Sequence, residues 1–327
     1  MQSSTHAAAL PPLHVLRDYE RCPAPGVCGN KARKLASLME ASALPPLLVS
    51  HGGTQSNAML ALAQLCRHRG VPMVYHTKPM PGWLRATPTG NLAAALATES
   101  MRLIEHSSSD AYKEAVKSAA AAEIGFIPQG AAWPGAEVGV AQLAREIGMW
   151  HSSQQAGRQL VSSLDVVVPA GTGTTALFLA RHVPPSVRVH AVPCVGDEHY
   201  LREQMTKLDM DSRAVGTLPH ILPPPPSHAV PFGAPSEALL TSWRDAATHG
   251  VFLDLLYGPV AWSAMWSRRW PQGTSSLLYI NCGGQEGLAS QLRRYHRAGL
   301  LDGAQPEDLL EDTKRVAAEV LLHECSK

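Results

Sequence analysis

An excess of charge of either sign is missing from this sequence: 28 Lys and Arg stand against 27 Asp and Glu, for a net charge of +1. Without a broad basic field, binding to nucleic acid or to an anionic membrane has no electrostatic footing. Charged residues are sparse as well, 17% of 327, and aromatics only 6%, yet apolar residues reach 45%. That apolar share builds a full core and excludes a disordered or fibrous chain. The length accommodates one large α/β domain or two ordinary ones. Apolar runs such as 45–49 and 177–180 fall far short of the ~20 residues that span a bilayer. The six cysteines (Cys22, Cys28, Cys66, Cys194, Cys282 and Cys325) form no CxxC pair, so neither a zinc site nor a disulfide scaffold is expected. Residues 1–11 lack both the apolar stretch of a signal peptide and the arginine of a transit peptide. The expectation is a cytoplasmic, reducing-compartment protein that handles a small molecule and binds no metal.

What is present is a rhythm. Apolar runs at 46–50, 71–76, 101–104, 125–128, 164–169, 187–192 and 276–281 are short enough for buried strands. Between them, 57–68, 91–98, 109–123 and 174–182 have helical period, with Ser109 or Asp110 the expected cap of the third. Strand, helix, strand at this spacing gives parallel βαβ units with helices on both faces. The fold class is therefore α/β, in two lobes: a small one over 43–145 and a large one from 1–42 plus 146–327. The polar stretch 150–159 reads as a join between lobes. Four consecutive prolines make 222–227 extended. A stiff surface loop is the plainer reading there, a docking peptide for a proline-reading partner the alternative. No internal repeat is present.

Four glycine-rich or polar stretches lie where open α/β sheets bind ligands. In Gly29-Asn30-Lys31-Ala32-Arg33-Lys34-Leu35, a glycine turn leads at once to a lysine at a helix start. A lysine so placed, in a dry pocket, loses its proton more easily and can form an imine; taken alone, the motif also fits a basic surface turn. Ser50-His51-Gly52-Gly53-Thr54-Gln55-Ser56-Asn57 follows a strand and gathers backbone amides, a hydroxyl and a carboxamide at a helix N-terminus, which suits a carboxylate. Pro169-Ala170-Gly171-Thr172-Gly173-Thr174-Thr175 follows a Val-Val-Val strand and opens a helix, an arrangement that cradles phosphate. It has neither the Walker lysine nor GxGxxG spacing, and Val192-Pro193-Cys194 ends the next strand without the acidic residue a Rossmann oxidoreductase needs. Tyr279-Ile280-Asn281-Cys282-Gly283-Gly284-Gln285 again sets a glycine pair after a strand.

An imine-capable lysine, a carboxylate loop and a phosphate loop on one sheet are the parts of a pyridoxal 5'-phosphate site. These stretches, together with Arg17-Asp18 and Leu253-Asp254-Leu255-Leu256-Tyr257, resemble the pyridoxal-phosphate enzymes of the tryptophan synthase β-like fold. Within them the likeness is to the 1-aminocyclopropane-1-carboxylate deaminase and D-cysteine desulfhydrase group, in order over roughly residues 15–295. The resemblance implies a role for each matching residue. Lys31 stands at the Schiff-base lysine, and Asn57 at the residue that hydrogen-bonds the cofactor's phenolic oxygen. Ser56 stands at a substrate-contacting nucleophile or proton carrier, with Gln55 beside it in the substrate loop. Gly171, Thr172, Gly173, Thr174 and Thr175 form the phosphate cradle. Cys282 lies beside the pyridine nitrogen, and Tyr257 is an active-site tyrosine. Gly173→Val is expected to weaken cofactor binding more than stability.

The chain also departs from the group. The strand ahead of Arg17-Asp18 is expected to be mostly missing. Phe232 replaces a second active-site tyrosine and belongs with the substrate-binding residues. Gly258 follows Tyr257 where relatives carry Glu or Thr, and Cys282 replaces Leu or Thr. With two polar groups lost, the site is expected to favour larger or less polar β-substituents. The implied reaction is β-elimination or ring opening on a small amino acid, releasing a 2-oxo acid and ammonia. Weak action on the cyclopropane substrate and elimination from cysteine or β-chloroalanine are expected. Alternatives are another pyridoxal-phosphate dehydratase or racemase, or a cofactor-binding homologue without turnover. The expected assembly is a homodimer.

Overall fold

The computed structural model describes residues 11–122, 125–155, 163–211, 218–271 and 274–325. Two sheets organise them, and every strand pairing is parallel. One sheet runs in the order β1 (Leu13–Arg17), β9 (Thr274–Asn281), β6 (Ser163–Ala170), β7 (Val187–Pro193), β8 (His220–Ile221). The other runs β4 (Met101–Glu105), β3 (Met73–Thr77), β2 (Leu48–His51), β5 (Phe126–Ile127). Strand β6 shows why: Leu164, Val166, Val167 and Val168 are fully buried, so both faces are covered and β-branched residues are favoured throughout. Each such side chain stabilises the fold by about 1.5–3 kcal/mol over its exposed state.

Before β6 the helices are α1 (Gly29–Lys34), α2 (Ala36–Glu40), α3 (Asn57–Arg69), α4 (Gly82–Ala86), α5 (Gly90–Leu96), α6 (Ser109–Ala121) and α7 (Glu137–Gln154). After it come α8 (Thr174–His182), α9 (Glu198–Asp211), α10 (Glu237–Thr248), α11 (Gly258–Ser267), α12 (Leu288–Arg297) and α13 (Pro306–Cys325). Separate apolar clusters lie under the small sheet, around Met59, Leu62 and Tyr75, and on the two sides of the large one, around Trp243 and Trp262 and around Phe178 and Leu143. Among the described residues no helix is long and apolar enough to cross a membrane.

Several expectations from the sequence are corrected. The strand ahead of Asp18 is present: β1 pairs along β9 from Leu13 opposite Leu277 to Arg17 opposite Asn281. Ser108, not Ser109 or Asp110, caps α6, its hydroxyl accepting from Ala111 N at 3.1 Å. The supposed join at 150–159 is helical through Gln154, at the end of α7, and 156–159 lie outside the described residues. Residues 222–225 are irregular, and Pro226–His228 turn into a 3₁₀ segment. Cys22 and Cys28 form a disulfide, because a tight turn with a bridge between Ala24 and Val27 folds this segment back on itself.

One ionic cluster fixes α1 to both neighbours. Arg33 donates to Asp18, which follows β1, at 3.0 Å, and to both oxygens of Glu146 in α7 at 2.7 and 2.6 Å. Arg33 and Asp18 are both buried. Burial raises the Asp18 pKa, against the opposing charge of Arg33.

Candidate functional site

The C-terminal ends of β2, β6 and β9 lead into loops that face one cavity of about 350 Å³. Ligands collect at this edge of a parallel sheet because helix N-termini and free backbone amides converge there. The residues given catalytic, cofactor or substrate roles from the sequence line it: Lys31 on α1, Gln55, Ser56 and Asn57 before and at the start of α3, and 171–175 before and at the start of α8, whereas Arg17, Asp18 and Gly258 do not. Phe232, Tyr257 and Cys282 complete the wall.

Lys31 is held at the first turn of α1 by the loop after β9. Asn30 N donates to Cys282 O at 3.2 Å and Gly29 N to Arg21 O at 3.0 Å. Gly29 has φ +61°, and a Cβ there would lie 2.5 Å from Cys282 O, so the turn that presents the lysine requires glycine. Lys31 Nζ donates to Asn30 Oδ1 at 2.8 Å. Burial lowers its pKa below the ordinary lysine value, against the opposing influence of Cys282 and Asp254. The neutral, nucleophilic amine is therefore reached at lower pH than in water.

Ser56 caps α3, its hydroxyl accepting from Met59 N at 3.2 Å. Asn57 Oδ1 accepts from Asn91 Nδ2 at 2.6 Å, which turns Asn57 Nδ2 toward Gly284. Gln55 lines the cavity, but its amide is engaged by the segment that opens α5: it donates to Thr89 O and accepts from Asn91 N, both at 3.0 Å.

Helix α8 begins at Gly173, in the left-handed region, with no side-chain cap. Its first amides are thus available to an anion. The buried Thr175 Oγ1 has no hydrogen-bond partner among the described residues. A Cβ on Gly173 would lie 2.3 Å from Met205 Cγ, which corrects the expectation for Gly173→Val: the substitution strikes packing against α9 as well as any ligand. Lys34, one turn beyond Lys31, also lines the cavity and donates to Gly130 O at 3.1 Å. Burial first, then the charge of Lys31, lowers its pKa well below the ordinary value.

Tyr257 is placed by Asp254, whose Oδ1 accepts from Leu256 N at 2.6 Å and Tyr257 N at 2.7 Å, while Oδ2 accepts from Gly258 N at 3.1 Å. Burial raises both the Asp254 and Tyr257 pKa values. The Tyr257 and Phe232 rings pack at 5.2 Å. Cys282 is a free thiol pushed up to about 12 by burial, so it stays neutral. Lys34 and Asp254 belong to the stretches quoted from the sequence but were given no site role there. Lys34 reads as part of a basic turn, and the amides that Asp254 accepts from are not visible in residue order. No group of three or more metal-binding side chains occurs among the described residues.

No protein-family model matches the chain, and no curated protein matches it in sequence. Solved structures do match. One of an ACC deaminase homologue is 16% identical, with a TM-score of 0.62 over 89% of this chain and 88% of that one. A threonine deaminase from Solanum lycopersicum, the processed form of isoform 2, is 14% identical, with a TM-score of 0.56 over 88% and 79%. A hydrogen sulfide-producing enzyme from Fusobacterium nucleatum is 11% identical, with a TM-score of 0.55 over 84% and 89%. At these identities the likeness is one of fold, and the fold is the tryptophan synthase β-like class expected from the sequence.

Proposed function

We propose that the chain is a pyridoxal 5'-phosphate enzyme of the deaminase and desulfhydrase type, acting on a small amino acid. The observation that carries this reading is the placement of a half-buried lysine of lowered pKa and an uncapped, glycine-opened helix on the same cavity. The residues fit the cofactor. The amides at the start of α8, the hydroxyl of Thr175, partnerless among the described residues, and the amine of Lys34 suit its phosphate. Asn57 Nδ2 suits its phenolic oxygen, and the neutral Cys282 its ring nitrogen. When bound, pyridoxal phosphate supplies the electron sink for bonds broken at the substrate's Cα.

Lys31 Nζ anchors the cofactor and then carries the substrate's α-proton. The loop 53–57 binds the α-carboxylate through backbone amides and the Ser56 hydroxyl. Tyr257, held by Asp254, closes the cavity on the leaving-group side and excludes water there. In the net reaction the bond from Cβ to its substituent X breaks with its electrons going to X. The amino acid and one water give a 2-oxo acid, ammonium and HX. The small lobe over 43–145 belongs to the same reading, supported by the confinement of the four-stranded sheet to residues between Leu48 and Ile127, and assembly as a homodimer is proposed with it.

The test is a panel of D- and L-amino acids with good β-leaving groups, plus the cyclopropane substrate, assayed for ammonia and 2-oxo acid. Equal release of both from at least one β-substituted substrate, abolished by Lys31→Ala, is expected. Release from none, with the cofactor bound, contradicts turnover and favours the homologue without activity. Efficient opening of the cyclopropane with neither cysteine enantiomer consumed contradicts the elimination reading.

A further inference from the structure

The cavity walls contain three basic side chains, Lys31, Lys34 and Arg294, and no carboxylate among the described residues. Under the reading above, Lys31 is consumed as the covalent anchor, Lys34 faces the phosphate, and the α-carboxylate has the loop 53–57. One cation is left over. Arg294 lies on α12 one turn after Ser290, which borders Gly90 and the Gln55 amide; this face of the helix therefore adjoins the substrate loop. A Cβ on Gly233 would lie 2.9 Å from Arg294 Nη1, so the chain beside Phe232 yields space to the guanidinium. The adjacent Arg293 is bound by Glu307 at 2.9 Å, whereas Arg294 has no acidic partner among the described residues.

We infer that Arg294 selects substrates whose β-substituent ends in an anion: a carboxylate, sulfonate or phosphate. This rests on the amino-acid-enzyme reading of the same cavity. Phe232 and Tyr257 form an apolar wall, and the exposed guanidinium of Arg294, beside Gly233, lines the same cavity. Such a site fits a substituent with an apolar stem and a charged tip better than a small neutral one. Arginine suits all three anions because its planar fork donates two parallel hydrogen bonds to each. In the elimination, the Cβ–X bond breaks to release X with its negative charge, while water supplies the oxygen of the 2-oxo acid.

The test compares matched pairs on the pyridoxal-phosphate-loaded protein: O-phosphoserine with serine, cysteine S-sulfonate with S-methylcysteine, and aspartate with asparagine. The first two pairs are read by release of 2-oxo acid, and the third by displacement of the cofactor's absorption band. The anionic member of each pair is expected to be preferred by about tenfold or more, and Arg294→Gln to remove that preference through KM and not kcat. Arg294→Lys is expected to restore part of it. The three anions separate carboxylate, sulfonate and phosphate as the preferred tip. Equal weakening of both members of each pair assigns Arg294 to the α-carboxylate or to the fold and overturns the selectivity, as does an unchanged ratio. A protein that takes up the cofactor but responds to no amino acid overturns the reading beneath it and the selectivity with it.

Discussion

Thr175 separates the two jobs a buried hydroxyl can have. Its Oγ1 is buried and partnerless among the described residues, and an unsatisfied buried donor costs about 1–3 kcal/mol. Thr175→Val keeps the shape and removes that penalty. Denaturation of the cofactor-free variant should therefore show unchanged or slightly higher stability, while titration with pyridoxal phosphate should show about tenfold weaker binding. Weaker stability together with normal cofactor affinity contradicts the phosphate assignment.

His51 offers a second measurement at this scale. Its Nε2 accepts from Gln129 N at 3.2 Å, and its Nδ1 lies 2.8 Å from the Tyr112 hydroxyl, so the ring is neutral and holds the loop bordering the cavity. Burial first, then His76, lowers its pKa from 6.5 to about 4. Above pH 6.5 the ring is neutral in folded and unfolded chains alike, and its contribution is fully present. As pH falls toward 4 the unfolded chain takes up the proton first and stability is lost. After allowance for partial exposure the loss is on the order of 1–2 kcal/mol. Denaturant unfolding across this window should show a shallower decline for His51→Gln than for the parent; parallel curves would contradict the placement.

Residues were legible from the sequence when turn chemistry announced them. Lys31 follows a glycine turn, and Ser56 and Thr174 sit where helix starts attract hydroxyls. Asp254 gains its role from a turn onto the amides of residues 256–258 that residue order alone does not show, and Arg294 from space brought near by distant segments.

At the scale of elements, α1 is the piece that matters most, because it carries both lysines. Its position depends on the Arg33 ion cluster and on close contact with α7, where a Cβ on Gly139 would lie 2.1 Å from Arg33 O. Gly139→Ala should therefore drive α1 and α7 apart, with a loss of stability of about 1–3 kcal/mol or more and weaker cofactor binding in the variant that remains folded. Arg33→Met should be worse, since it leaves Asp18 buried without its partner, at about 3–5 kcal/mol. Equilibrium unfolding of both variants checks the order.

Continuous apolar strands such as β6 and cleanly periodic helices such as α8 were readable because both faces, or one stripe, declare their burial. The edge strand β1 was not. Its five residues include His14 and Arg17, and it becomes a strand by pairing with β9 at the far end of the chain. Helix α11 was missed for the opposite reason: it is apolar nearly all round, from Val260 to Met265 buried on every side, so it has no stripe to read.

Across the whole molecule, residues from 30 to 294 meet at one cavity, and segments that follow strands of both sheets contribute to its walls. That convergence was legible as an ordered set of loops, whereas the charge inventory of the finished cavity was not. A ligand bound only by the folded chain stabilises it by about 2.7 kcal/mol at a hundredfold excess over Kd. Saturating pyridoxal phosphate should therefore raise the melting temperature measurably. The central claim is narrower: the cofactor is held covalently, and at Lys31. Borohydride reduction of the loaded protein followed by peptide mass mapping tests it most directly. A single pyridoxyl adduct on Lys31 is the expected result; an adduct on Lys34 or another lysine, or none at all, contradicts it.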